Sequence, residues 1–296
     1  MDAIRVVARR GEVVEAVHSV HAVAVRDGEI LAAVGDPYLV TFLRSSAKPF
    51  QALELARARD DLDDRDLAIA SASHRAHPAQ IEAVRALLAK AGVKESDLEC
   101  GSQEGRPPGR IYHNCSGKHA GMLATCRARG WRTEGYRLSG HRMQRGNQTD
   151  VASAAGVDEM RTATDGCGVV TWALPLERMA VMFSRLETSE EGRRIAAAMR
   201  ARPELIAGEG ATDTELMRTL DGFVAKGGAE GLICIAGPNG LGIALKSEDG
   251  SYRPQQPALG AFLPRLGFDV PQFERVVIHN SRGEPVGALE VLAAET

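Results

Sequence analysis

A hydroxyl or thiol followed three residues later by an amine occurs twice at chemically suggestive places in this chain. In Arg44-Ser45-Ser46-Ala47-Lys48-Pro49-Phe50, Ser45 and Lys48 have that spacing. Residues three apart on a helix share a face, so hydroxyl and amine can meet. Serine is a weak nucleophile at neutral pH, and an adjacent amine able to lose its proton activates it. Acyl-transferring serine enzymes use this Ser-x-x-Lys arrangement. The same spacing also fits a helix N-cap serine followed by a solvated lysine.

The second occurrence is Tyr112-His113-Asn114-Cys115-Ser116-Gly117-Lys118-His119-Ala120-Gly121, where Cys115 and Lys118 can face one point and His119 is adjacent. A third stretch, Thr164-Asp165-Gly166-Cys167-Gly168, flanks a cysteine with glycines that permit close backbone approach. Two thiolates and a nitrogen donor are a reasonable zinc set. Against it, free cysteine commonly behaves as a small buried hydrophobe, and lysine coordinates only when neutral. Cys100, Cys126 and Cys234 have no comparable setting. Two further places matter: Ser73-His74, after an apolar run, and Lys246, which ends Gly242-Ile243-Ala244-Leu245 and either reaches a cleft or snorkels into solvent.

The elements that must position these groups read as strands at both ends with helices between. Asp27-Gly28 is a hairpin signal between 22–26 and 29–34, and 13–20 is also β-rich. Lys48 to Ala58 predicts a helix with Pro49 in its first turn. Leu67 to Ala72 reads as a short buried strand. Further helices are predicted over 78–91 (closed by Gly92), from Ser116 past Leu123, and over 141–155, 175–186, 189–201 and 212–220. Strands return at 232–236, 242–246, 275–279 and 286–292. No Pro/Gly-rich linker divides the chain, so residues 1–296 are expected to form a single domain: α+β, with a mixed, largely antiparallel sheet joining the termini and covered by helices.

The totals restrict the function. A net charge of -3 and scattered basic residues give no electrostatic case for nucleic acid or an anionic membrane. No apolar stretch approaches the roughly 18 residues of a membrane span. The first residues do not lead into a signal segment, and five cysteines at irregular spacing suit a reducing compartment. A cytoplasmic location is therefore expected.

Taken together and in order, Arg-Ser-x-x-Lys-Pro, Ser-His, Asn-Cys-Ser-Gly-Lys-His, Asp-Gly-Cys-Gly, the lysine after Gly-Ile-Ala-Leu, and Asn280-Ser281-Arg282-Gly283-Glu284-Pro285-Val286-Gly287 resemble the rhizobial-type (class 3) L-asparaginases. That family shares a fold with serine β-lactamases and penicillin-binding proteins. The resemblance implies hydrolysis of L-asparagine to aspartate and ammonia, with Ser45 as nucleophile and Lys48 as its base. Ser73 and Lys246 would form a second Ser-Lys pair. Arg44 and Asp165 would organise the site with His74, and Cys115, Lys118 and Cys167 would hold Zn2+ with His119 beside it. It also implies a homodimer. Where a glutamate is expected before Pro78, this chain has His77. Two rival functions remain at this level: a penicillin-binding or β-lactamase-like hydrolase, and a non-catalytic, zinc-stabilised ligand-binding protein.

Overall fold

The computed structural model describes residues 2–292. Its strands, in chain order, are β1 (Ile4–Arg10), β2 (Val13–Arg26), β3 (Glu29–Val34), β4 (Val40–Phe42), β5 (Arg161–Thr164), β6 (Val170–Pro175), β7 (Val224–Gly227), β8 (Leu232–Gly237), β9 (Leu241–Ser247), β10 (Arg275–His279) and β11 (Pro285–Val291). The main sheet runs β10-β11-β1-β2-β9-β8-β7, with β3 also paired to β2. A second sheet has the order β4-β6-β5. Every pairing is antiparallel. The α+β class and the sheet joining both ends of the chain agree with the sequence expectation: Val6 of β1 stands opposite Val291 of β11. Among the described residues, no helix is long and apolar enough to cross a membrane.

Hydrophobic patterning explains the layers. Val20 and Ala22 to Val25 of β2, and Leu241 and Ile243 to Leu245 of β9, are buried, as a sheet covered on its faces requires. The helix Leu176–Ser184 lies across β2, β8 and β9, and the helix Gln255–Phe262 covers β1, β10 and β11. The helices between residues 48 and 128 pack on one another and on Glu190–Ala201.

Two local expectations are corrected. Residues 67–72 are not a strand; they lie mostly in the helix Asp64–Ala70. Asp63 and Asp66 each accept the other's backbone N–H at 3.1 Å, a capping box that starts the helix and outweighs the apolar run's strand signal. The predicted helix over 48–58 is two shorter helices meeting at Ala52. Helices 78–91 and 142–155 end as predicted, each closed by a left-handed glycine, Gly92 and Gly156.

Candidate active site

Ser45 sits in a tight turn, Arg44–Ala47, that runs directly into the Lys48–Gln51 helix. Arg44 has φ of 47°, a left-handed conformation that costs a non-glycine residue about 1–3 kcal/mol. The surroundings hold it there. The Leu43 N–H donates to Trp172 O at 2.9 Å and the Arg44 N–H to Thr171 Oγ1 at 3.1 Å. Arg44 Nε donates to Asp165 Oδ1 at 2.6 Å. The second sheet thus clamps the turn and lifts the half-buried Ser45 into a cleft of about 820 Å³. Ser45 Oγ makes no hydrogen bond to the described residues.

Lys48 is completely buried. Its Nζ donates to Ala72 O at 2.5 Å and to Ser73 Oγ at 2.9 Å. Burial pushes this amine below its ordinary range; Cys115 opposes the fall and Lys118 adds to it. Ser73 lines the cleft and is fixed by its own N–H donating to Ile206 O at 2.7 Å. The next residue, His74, is fully buried. Its Nδ1 accepts from the Ala76 N–H at 3.2 Å, which leaves Nε2 to donate to Ser116 Oγ at 2.8 Å. Burial, with Lys48 and Arg106 nearby, drops its pKa to about 3, so it is neutral. With both ring nitrogens engaged by the protein, His74 ties the Ser73 segment to the Ser116–Ala128 helix rather than offering a nitrogen to the cleft. Gly117 makes that junction possible, since a Cβ there would stand 2.1 Å from Ile69 O.

The same helix carries Cys115 at its start and Lys118 in its first turn. Cys167 reaches them from the turn between β5 and β6, closed by the Gly168 N–H donating to Asp165 O at 2.8 Å. Lys118 Nζ donates to Cys167 Sγ at 3.1 Å. Cys167 Sγ also lies 3.8 Å from Asp165 Oδ2. The neighbouring Cys167, Lys48 and Lys118 hold Cys115 well below the thiol range, while Cys115 and burial raise Cys167. Burial pulls Lys118 down, but the sulfur charges outweigh it and keep the amine protonated. Burial would also raise Asp165, yet Lys118 and the Arg44 bond hold its carboxyl below the usual range.

His119 is fully buried behind the sulfurs. Tyr136 OH accepts the Glu99 N–H at 2.9 Å and lies 2.6 Å from His119 Nδ1. Burial keeps this phenol protonated, so its hydrogen goes to Nδ1 and the imidazole proton to Nε2. That Nε2 has no hydrogen-bond partner among the described residues. The donor chemistry for zinc is present in two sulfurs and a buried amine. Among the described residues, no group of three or more His, Cys, Asp or Glu is placed to hold a metal ion, so Lys118 would have to be the third donor.

One expected partner is elsewhere. Lys246 lies on β9, with β8 between it and β7 in the sheet order. Its Nζ donates to Ser247 O, and its acidic neighbours are Glu230, Asp249 and Glu248. It does not line the cleft that holds Ser45 and Ser73. The lysine that does is Lys226, on the edge strand β7. Ser46 Oγ donates to Lys226 O at 2.9 Å, binding β7 to the Ser45 turn. Gly228 permits this approach, because a Cβ there would stand 2.8 Å from Leu43 O and 2.9 Å from Ser46 Oγ. Lys226 is wholly buried; its Nζ donates to Gly227 O at 2.7 Å and lies 3.5 Å from Asp213 Oδ2. Burial lowers its pKa to about 8, with Asp213 opposing and Lys48 reinforcing the shift. A four-residue strand, Val-Ala-Lys-Gly, has too little alternation to announce itself; the signal available was a lysine followed by two glycines. His77, the departure noted before Pro78, forms the N-cap of its helix and packs against Gly208.

The L-asparaginase II family model matches residues 6–291. No curated protein sequence matches. Among solved structures, Mglu in its native form aligns at 15% identity over 83% of this chain and 64% of that one, with a TM-score of 0.47. Mglu in its glutamate form gives 14%, 83%, 61% and 0.48. A β-lactamase from Mycobacterium bovis gives 14% identity over 78% of this chain and 88% of that one, with a TM-score of 0.39. The chain thus spans less than two thirds of the length of the Mglu chains it is similar to.

Proposed function

The chain belongs to the L-asparaginase II family, and from that premise we propose that it hydrolyses the side-chain amide of L-asparagine, releasing L-aspartate and ammonia through a serine ester. The observation that carries this reading is the convergence of Ser45, Ser73 and Lys226 on one cleft, with the Lys48 amine bonded to Ser73 at its base.

In this mechanism Ser45 Oγ attacks the amide carbon and its proton passes to the neutral Lys48–Ser73 couple. Burial and neighbouring amines favour neutrality of both Lys48 and Lys226. The oxyanion needs backbone N–H donors; in the Ser45 turn the Arg44 and Ser46 amides are already bonded to Thr171 Oγ1 and Leu43 O, which leaves the Ser45 N–H to serve; one such donor is worth about 3–4 kcal/mol. The tetrahedral species expels ammonia, which takes the stored proton. Water then attacks the ester, freeing aspartate and restoring the Ser45 hydroxyl. Lys226, half neutral near pH 8, is placed to take the proton from that water.

Cys115, Cys167 and Lys118 would hold the zinc ion that the family resemblance implies, after losing the protons they carry. The ion would supply a fixed positive centre for orienting substrate and would cross-link the two loops. A homodimer and a cytoplasmic location belong to the same proposal.

The deciding experiment measures ammonia release from L-asparagine and L-glutamine side by side, with Ser45→Ala as control. Release from asparagine that is lost in the variant supports the reading. Release from neither amide, with cleavage of a coloured β-lactam, would replace it with the β-lactamase-like alternative.

A further inference from the structure

Beyond the serines, the cleft wall carries three arginines with no ion pair among the described residues, Arg75, Arg106 and Arg253, and the first two are neighbours. Arg75 follows Ser73 by two residues, and its Nη1 donates to Glu209 O at 3.1 Å. Arg106 comes from the loop before the Ser116–Ala128 helix, and its Nη2 donates to His74 O at 3.4 Å. Both line the cleft. Neither forms an ion pair with any described residue. Each is therefore held by a neutral backbone carbonyl on one nitrogen, leaving the remaining N–H groups of a planar fork available.

Their closeness is electrostatically unfavourable. Burial and the neighbouring Arg75 both hold Arg106 below the ordinary guanidinium range, and no carboxylate offsets them. Glu104, on the same loop, is exposed and unpaired among the described residues and does not relieve the pair. The contrast with Arg44 in the same cleft is direct, since that guanidinium is matched by Asp165. Like charges brought together at the edge of a binding cleft, each already oriented by the backbone, are neutralised best by a bidentate anion arriving with the ligand.

We propose that Arg75 and Arg106 form a carboxylate subsite that receives the free α-carboxylate of the substrate, so that the enzyme acts on amides of α-amino dicarboxylic acids and discriminates against substrates whose α-carboxyl is blocked. The assignment rests on the hydrolase reading for its substrate. Its position supports it: Arg106 is bonded to the residue after Ser73, so a carboxylate held there sits beside the Ser73 side of the reacting centre.

The test compares kcat/KM for L-asparagine with that for L-aspartic acid diamide, in which the α-carboxylate is an uncharged amide. The wild type is expected to favour L-asparagine. Arg106→Gln and Arg75→Gln should each lower kcat/KM for L-asparagine about 10- to 100-fold, the scale of a charge-assisted hydrogen bond, while changing the diamide value much less. Arg106→Lys should recover part of the loss. Equal losses on both substrates, or no loss on L-asparagine, would overturn the subsite. Calorimetric titration of L-aspartate separates this from the mechanism. If the wild type releases no ammonia yet binds L-aspartate through the two arginines, the hydrolase reading fails and the subsite stands. If binding is absent, or is unchanged in Arg75→Gln/Arg106→Gln, the subsite fails whatever the turnover.

Discussion

Lys48 Nζ donates to Ser73 Oγ at 2.9 Å and makes no hydrogen bond to Ser45, the hydroxyl three residues before it in its own turn. The amine sits behind one serine while the other stands free in the cleft. This division suits a site in which one hydroxyl relays protons and the other forms the covalent bond.

Ser45→Ala should therefore remove about a thousandfold or more of the turnover. It should leave the thermal midpoint nearly unchanged, because the side chain is half-exposed and unbonded. Ser73→Ala should also slow turnover, and it should shift the pH profile by stripping Lys48 of its hydroxyl partner. Wild-type kcat for Ser45→Ala, measured by ammonia release, would rule out a serine ester at this position.

The two lysines on neighbouring parts of the sheet give opposite expectations. Lys226→Met should lower kcat by about a hundredfold or more, the scale of a lost general base. Lys246→Met should stay within a few-fold of wild type, since its amine bonds Ser247 O outside the cleft. The reverse ranking would return Lys246 to the mechanism.

Lys226 also sets a pH dependence. As a neutral base with a pKa of about 8, it gives activity that rises through pH 8. Asp213 raises that pKa, so Asp213→Asn should move the rising limb toward lower pH. Stability follows the same group. The folded pKa lies below the unfolded value of 10.5, so the full cost of burying the charge is present below about pH 8 and is gone above the unfolded pKa. Stability from this lysine thus increases with pH between the two, by about 3 kcal/mol as an order of magnitude. Urea titrations of wild type and Lys226→Met at pH 7 and pH 10 should show a pH-dependent difference of that sign.

Cys167→Ser should release bound metal and raise KM, because one of two sulfurs in the proposed donor set is removed. Elemental analysis of wild type and variant purified in parallel is the measurement. Equal zinc content in both, or none in the wild type, would end the metal proposal.

Gly228→Ala probes the seam between β7 and the Ser45 turn. A methyl group there meets Leu43 O, Leu232 Cδ2 and Ser46 Oγ within 3 Å. Displacing the strand should cost about 1–3 kcal/mol and should depress kcat by separating Lys226 from Ser45. Unchanged stability and activity would mean that the seam is not required.

Much of this site was legible as short motifs because their chemistry is local. Ser45 and Lys48 are one turn apart, Cys115 and Lys118 likewise, and the glycines around Cys167 announce a tight turn. The helices with clear caps, such as 78–91 ending at Gly92, were readable for the same reason. Lys226 was not, because its place depends on strand order: only pairing with β8 puts β7 at the sheet edge facing the Ser45 turn. Residues 64–70 went the other way, since an Asp63–Asp66 capping box overrode an apolar run. The Arg75–Arg106 neighbourhood is likewise a product of the tertiary fold, since Arg106 reaches across the chain to the carbonyl of His74, the residue before Arg75.

The pairing of β1 with β11 has a consequence during synthesis. Residues 4–10 emerge from the ribosome long before residues 285–291 and acquire this neighbour only once those have been made. Until then that strand margin is unsatisfied, and β2 likewise waits for residues 241–247. Such distant closures make folding slow, and a growing chain with open strand margins is a natural client for chaperones.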